Sequence, residues 1–464
     1  MGPIVKFGRP TPAHVFALPL TAYVFSTPLT RLRLPLPLTL SPPDIVAAES
    51  RPPPVYLVSV LRSPFLSALR HRDFRLFIFG QFVSLCGTWI QTVAQGWLVL
   101  QLTDSAFKVG LVTTLGTLPI LLFTLYGGVV ADRVDKRRMV LLLQCGMLLE
   151  ALSLGILTYL GHITVEWVMG LALFFGTLSA FEVPTRQSLV AEIVDREDLL
   201  NAIALGSSGF NLARVIGPAV AGVLISTVGL AACFFANAAS YLAVIASLVM
   251  MQVRRETEPS TVPAWSALLE GVRYVFGNPW PRALIALIAT FSVFGFSFMT
   301  MMPVFARNAL GLDAAGYGAS VSTVGIGAAT GAIGMAGLGG QARRARLVIV
   351  SSVLFGLLLT GAALAPNFPV ALLLFTLTGC TMALNGILAN TMLQLQAPDH
   401  LRGRVMGFYS FTVLGMGPFG ALQAGWISEH YGVRTALALG GAVCLLVAVM
   451  VGWERSGGGE VRPA

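Results

Sequence analysis

Charged side chains are scarce in this chain: only 11% of its 464 residues are Asp, Glu, Lys or Arg, against 55% hydrophobic ones. A soluble protein covers its surface with charge, so this balance excludes a single core in water and puts most of the chain in lipid. Cysteine is sparse too. Cys86, Cys145, Cys233, Cys380 and Cys444 stand far apart and mostly inside apolar stretches, which excludes the paired spacings of metal and redox sites and leaves them as packing residues. The sequence also lacks a nucleotide-binding glycine loop, a nucleophile constellation and a metal cluster, so no enzyme, no direct nucleotide drive, no metal and no cofactor are expected. The net charge of +9 is spread through short loops instead of lining one face, which argues against nucleic acid.

Acidic residues are missing before Asp44, while 13 of the 26 prolines fall within the first 70 residues. Proline at that density blocks regular helix, so 1–70 is expected to be a disordered tail. The apolar stretch from Thr11 to Thr30 is broken by Pro12, Pro19 and Pro28, and no clean signal-cleavage site follows. No Met occurs between Met1 and Met139, so a start near Val58 or Val60 is the alternative; an N-terminal mass showing Met1 would reject it.

Apolar runs dominate the rest. A helix crossing a hydrocarbon core of about 30 Å needs roughly 20 apolar residues, and twelve such runs are expected at 74–101, 108–131, 138–160, 163–184, 203–228, 230–252, 281–306, 315–340, 345–365, 368–393, 401–427 and 433–453. Lys and Arg orient them. With both ends inside, the cytoplasmic segments hold 21 basic residues, among them Arg72, Arg133, Lys136, Arg137, Arg343 and Arg402, whereas the outer loops hold Lys108, Arg307 and Arg434. The longest loop, 253–280, divides the chain into six-helix units at 71–252 and 281–453, with a short tail at 454–464. Within that loop Trp265, Leu268, Leu269, Val272, Val275 and Phe276 recur at helical spacing opposite Ser266, Glu270 and Arg273, which predicts a helix on the inner leaflet or a plain linker. Gly217-Pro218 recurs as Gly417-Pro418, and Ser226 to Gly229 has its counterpart in Ser428 to Gly432. A duplicated six-helix half is a known transporter architecture, with the substrate site between the halves.

Three segments carry further information. Gly128-Val-Val-Ala-Asp132-Arg133-Val-Asp135-Lys136-Arg137-Arg138 follows the second run, and its weaker counterpart after the eighth has Gln341 where Asp132 would align. The fifth run holds Asn211-Leu-Ala-Arg214-Val-Ile-Gly217-Pro218-Ala-Val-Ala221-Gly222, where proline and small residues predict a bent, tightly packed helix. In the first run Gln81, Ser84, Thr88, Gln91 and Gln95 are spaced to share one helical face.

These segments resemble the major facilitator superfamily, and within it the drug:proton antiporter branch that includes enterobactin and macrolide exporters. Asp135 departs from the family's usual glycine, and Ala204, Ala213 and Ala221 from the glycines of the exporter motif. The resemblance implies an all-α fold of twelve membrane helices in two six-helix pseudo-repeat bundles. It also implies a multi-pass inner-membrane protein that exports a small drug- or siderophore-type compound, with protons, substrate and bilayer as partners. Gly128, Asp132, Arg133, Lys136 and Arg137 are then a conformational gate, with Glu182 completing a relay to Asp132 and Lys136. Because the first, fourth, seventh and tenth helices line the cavity in this superfamily, the stripe from Gln81 to Gln95 is expected to face substrate, joined by Thr381, Asn385 and Asn390. Phe291, Phe294, Phe298, Met299, Met301 and Met302 offer soft surface there, or pack.

Glu150, near the middle of the third run, is the proton-coupling candidate; an ordinary buried partner is the alternative. Arg214 is a functional candidate, with bonding to helix carbonyls as the alternative. A facilitator or importer of a metabolite, and a non-transporting membrane sensor or assembly partner, stay open as other functions.

Overall fold

The computed structural model describes residues 64–131, 133–252, 264–335 and 341–457. The proposed tail therefore lies outside the described residues up to position 63, as do Asp132 and the side chain of Gln341. No strand occurs among the described residues. Among the described residues twelve long rods follow one another: α1 (Arg72–Thr103), α2 (Ala106–Ala131), α3 (Lys136–Tyr159), α4 (Val165–Ile193), α5 (Leu199–Thr227), α6 (Leu230–Met250), α7 (Pro279–Ala309), α8 (Ala314–Gly334), α9 (Gln341–Ala363), α10 (Phe368–Gln396), α11 (Arg402–Tyr431) and α12 (Val433–Gly457). Eleven of them are long and apolar enough to cross a membrane. The twelfth, α8, is rich in Gly and Ser, trading hydropathy for close approach to α10 and α5.

The first half packs through α2–α4, α1–α6, α3–α6 and α3–α4, and the second through α8–α10, α9–α12 and α9–α10. Across the halves the extensive contacts are α5 with α8 and α2 with α11. The repeat seen in the sequence is visible in the backbone: Gly229 after α5 and Gly432 after α11 both turn the chain at positive φ, 105° and 85°, a region open to glycine.

Proline behaves differently from its local expectation. The fourth run was expected to stop at Pro184, yet α4 continues to Ile193. Pro184 cannot donate to the carbonyl of Ala180. That carbonyl meets α2 at Gly127, where an added Cβ would lie 2.5 Å from it. Pro218 likewise leaves α5 unbroken, whereas at its counterpart Pro418 the helix is interrupted at Met416. α7 is the least regular rod, with π-helical turns at Phe291–Gly295 and Phe305–Ala309.

The helix expected in the long loop is Ala264–Gly277. It rides on the start of α11 and the end of α10: Glu270 pairs with Arg404, Gly271 lies on the Arg404 carbonyl, and the Tyr274 hydroxyl donates to Gln396 O of α10 at 2.7 Å. Leu269 and Phe276 remain exposed.

Candidate functional site

The two halves meet tightly at the end of the molecule that holds Arg434. An added Cβ at Gly110 of α2 would lie 2.5 Å from the carbonyl of Ala421 in α11, and Thr114 donates its hydroxyl to Pro418 O at 3.1 Å. On the α5–α8 side, Gly318 would meet Pro218 O at 2.5 Å, Gly222 packs on Ala314 and Ala315, and Ser322 donates to Val215 O at 3.1 Å. Gly217 faces α1, where an added Cβ would be 2.4 Å from Trp89 Cβ. Small residues thus let backbones touch on both sides of the interface.

Polar links close the same end. Glu429 of α11 accepts from the Ser105 hydroxyl and the Phe107 N–H, both at 3.2 Å, and so caps the N-terminus of α2 from the opposite half. Arg307 of α7 donates to Leu100 O at 3.1 Å and pairs with Asp104 at 3.2 Å. Trp97 of α1 stacks on Tyr317 of α8 with centroids 5.7 Å apart. A cleft of about 490 Å³ opens outward beside these links, lined among others by Asp104, Asn308, Glu429 and Arg434. In sequence Arg307 and Arg434 read only as loop charges, because nothing local shows which helix end each will meet. Replacing Glu429 by Ala removes a cap and a charge at a helix N-terminus, so the halves should part more readily at this end, by a factor of roughly ten in the conformational equilibrium. Spin labels at Val228 and Leu364 would measure it; an unchanged distance distribution would remove Glu429 from the seal.

At the opposite end the expected relay takes another form. Lys136, buried at the start of α3, pairs with Glu192 at the end of α4. Glu182 instead accepts from Arg186, one turn on, at 2.8 Å and from Gln144 of α3 at 3.3 Å. Glu192 was hidden from sequence reasoning because the fourth helix was ended too early. Arg137 donates to the Leu248 and Val249 carbonyls, satisfying the C-terminus of α6. Arg133 is exposed, and Gly128 has open space beside it. Asp135 needs no glycine geometry: it caps α3 at φ −64° by accepting from the Arg138 N–H at 3.1 Å.

Nearby, His71, Asp195 and Asp198 cluster. Asp198 already accepts from His71 at 2.7 Å and pairs with Arg70 at 2.8 Å. The Ser67 hydroxyl first, and then His71, hold its carboxyl below the usual carboxylate range.

Inside the first half, Glu150 is 1% exposed. The Gln91 amide donates to both of its oxygens, at 3.1 and 3.0 Å, and Asn237 of α6 donates to Gln91 at 2.7 Å. Ser240 completes the chain by donating to Asn237 at 3.1 Å. The stripe on α1 is therefore shared out. Gln91 is engaged within its own bundle, Gln81 and Ser84 are buried, Thr88 donates to Ser84 O, and Thr88 and Gln95 are half-buried.

Of the residues expected to contact substrate in the second half, Asn385 bonds to a neighbouring helix of its bundle, and Thr381 and Asn390 bond within α10. Asn385 donates to Ser352 of α9, Thr381 to Thr378 O, and Asn390 accepts from Gln394 while its own amide nitrogen stays buried and unpartnered. Phe298, Met301 and Met302 are core: Phe298 stacks on Phe375 of α10 at 6.0 Å, and Phe291 meets Phe355 at 4.7 Å. In lipid a polar group finds its partner in the protein interior, which is why these residues point inward.

A family model described as transmembrane secretion effector matches residues 63–456. The chain belongs to this family of major facilitator transporters. It is 27% identical over 390 residues to the multidrug efflux pump Tap of Mycolicibacterium fortuitum, covering 81% of this chain and 94% of that one. It is 25% identical over 390 residues to the enterobactin exporter EntS of Shigella flexneri, covering 83% and 92%. A solved bacterial homologue of the human lysosomal transporter Spinster shares the fold with a TM-score of 0.63 at 14% identity, covering 85% of this chain and 96% of that one.

In this transporter the exporter-type residues do distinct things. Gly217, Pro218 and Gly222 build the contacts of α5 with α1 and α8, and Asn211 accepts from Arg214 Nη2 at 3.0 Å. Asn237 and Ser240 were missed in the sequence, where each is a lone small polar residue in an apolar run.

Proposed function

We propose that the protein is a proton-coupled secondary exporter of small amphipathic compounds, working by alternating access between its two six-helix halves. The observation that carries this is a seal between the halves made at one end, by α2–α11 and α5–α8, alongside a buried carboxylate in the first half. The bias of Lys and Arg makes the Lys136 end cytoplasmic, together with both termini, so the sealed end faces outward. Similarity to an efflux pump and a siderophore exporter supports export of drug- or siderophore-type compounds. Units 71–252 and 281–453 then rock against each other, tied by the 253–280 linker. The Lys136–Glu192 and Glu182–Arg186 pairs hold the inner helix ends and rearrange as that end closes, with Gly128, Asp132 and Arg133 of the same sequence motif contributing to the gate.

Reconstitution in liposomes with an imposed pH gradient, screened against dyes, antibiotics and siderophores, tests this. Uphill movement that collapses with the gradient is expected. Movement only down the substrate gradient, indifferent to pH, would show a facilitator.

A further inference from the structure

Arg214 lies far from either end of α5 and has no acid opposite it among the described residues. Around α5, Leu212, Ile216 and Val223 are exposed and form the lipid side. Arg214 falls about half a turn from them, at roughly 100° per residue. It sits on the ridge between the face that packs on α1 through Gly217 and the face that packs on α8 through Pro218 and Gly222. Ser207 and Asn211 share that ridge, so a polar strip runs from Arg214 toward the Lys136 end, between the halves.

The guanidinium is poorly satisfied there. It has five N–H donors; Asn211 takes one, and Nε is buried without a partner. No carboxylate pairs with it among the described residues. Within the first half Glu150 is held by Gln91, Glu182 by Arg186 and Glu192 by Lys136. In the second half Asp313, Asp399, Glu429 and Glu454 all stand at or near helix ends. A cation at this depth normally has a counter-charge, and none is available among the described residues.

We propose that the counter-charge is the substrate's: Arg214 recognises a carboxylate on the exported compound, which makes this protein selective for anionic amphiphiles over cationic ones. The planar fork of Arg suits two parallel hydrogen bonds to a carboxylate, whereas Lys would supply only a point charge. The proposal rests on the exporter reading and adds the substrate's charge to it.

Purified protein in nanodiscs would be titrated with carboxyfluorescein, ethidium and Nile red as anionic, cationic and neutral probes, read by fluorescence anisotropy. Arg214→Gln should weaken carboxyfluorescein binding by about ten- to a hundredfold, the loss of a charge-assisted hydrogen-bonding partner. Nile red binding should be unchanged, and Arg214→Lys should fall between wild type and Gln. If the Gln variant does not fold, the wild-type protein decides, since it must bind carboxyfluorescein more tightly than ethidium. Equal binding of carboxyfluorescein by wild type and the Gln variant, or wild-type preference for ethidium, overturns the proposal. Failure of the exporter reading looks different: no probe moves in response to a pH gradient in liposomes, whatever stands at position 214.

Discussion

Glu150→Gln should abolish proton-driven export, lowering its rate on the order of 100-fold, the scale on which loss of a proton-transferring side chain is felt. Exchange of substrate across liposomes without a pH gradient should persist. The expectation comes from where Glu150 sits. Its two oxygens are held by one amide, Gln91, which is itself held by Asn237, so α3, α1 and α6 share one hydrogen-bonded chain. A neutral carboxyl would present a donor where Gln91 now finds only acceptors, and the Gln91 amide would have to turn or withdraw. Gln91 lies two turns before Trp97 and Leu100, where α1 touches α8 and α7. On the proposed coupling, a proton on Glu150 would be felt at the seal. Unaltered proton-driven export in Glu150→Gln would end this account, and Asn237→Ala offers a second check, since it should uncouple proton movement from export while leaving Glu150 in place.

The largest effect on stability is expected at Gly327. An added Cβ there would lie 1.8 Å from the Thr376 carbonyl oxygen and 2.7 Å from its carbon; Gly379 would meet Val324 O at 2.1 Å, and Gly331 Cys380 O at 2.5 Å. The obstacles are backbone atoms, so no side chain can swing aside, and α8 must move off α10 along its length. Gly327→Ala should cost about 3 kcal/mol, the upper range of overpacking in a close-packed interior, and Gly327→Leu should yield no stably folded protein. Gly334→Ala, with nothing within 4 Å of the new atom, is the control and should be neutral. Melting of the solubilised protein followed by size exclusion measures all three. Gly327→Ala as stable as wild type would mean that the α8–α10 contact is looser than described.

The fold was largely legible from the spacing of apolar runs, because lipid demands a helix of nearly fixed length wherever the chain crosses it. The end of α4 was not. Pro184 is a stop signal locally, and the helix that continues past it packs closely on Gly127 of another helix. The candidate site was legible as residue types and not as pairings. Glu150 and Arg214 stand out because charge in an apolar run is rare, but the Gln stripe on α1 has two interior directions open to it, the bundle and the space between the halves. Periodicity shows only that the stripe avoids lipid. Lys136 was expected to meet Glu182 and meets Glu192, a choice set by how far α4 extends. Arg307 was counted as a loop charge and Glu429 was not singled out; their roles across the seal depend on which helix end each faces.

Where α2 meets α11 and α5 meets α8, the backbones touch as carbonyl oxygen against glycine. Surfaces of that kind have no rotamers to reset when they part, so friction between the halves is low and the stroke is smooth. The resistance to opening is then concentrated in a handful of polar latches, Glu429 on the α2 terminus and Arg307 on Asp104 and Leu100. A transporter so built can be retuned between a tight and a leaky resting state by surface residues alone, far from any position that handles cargo.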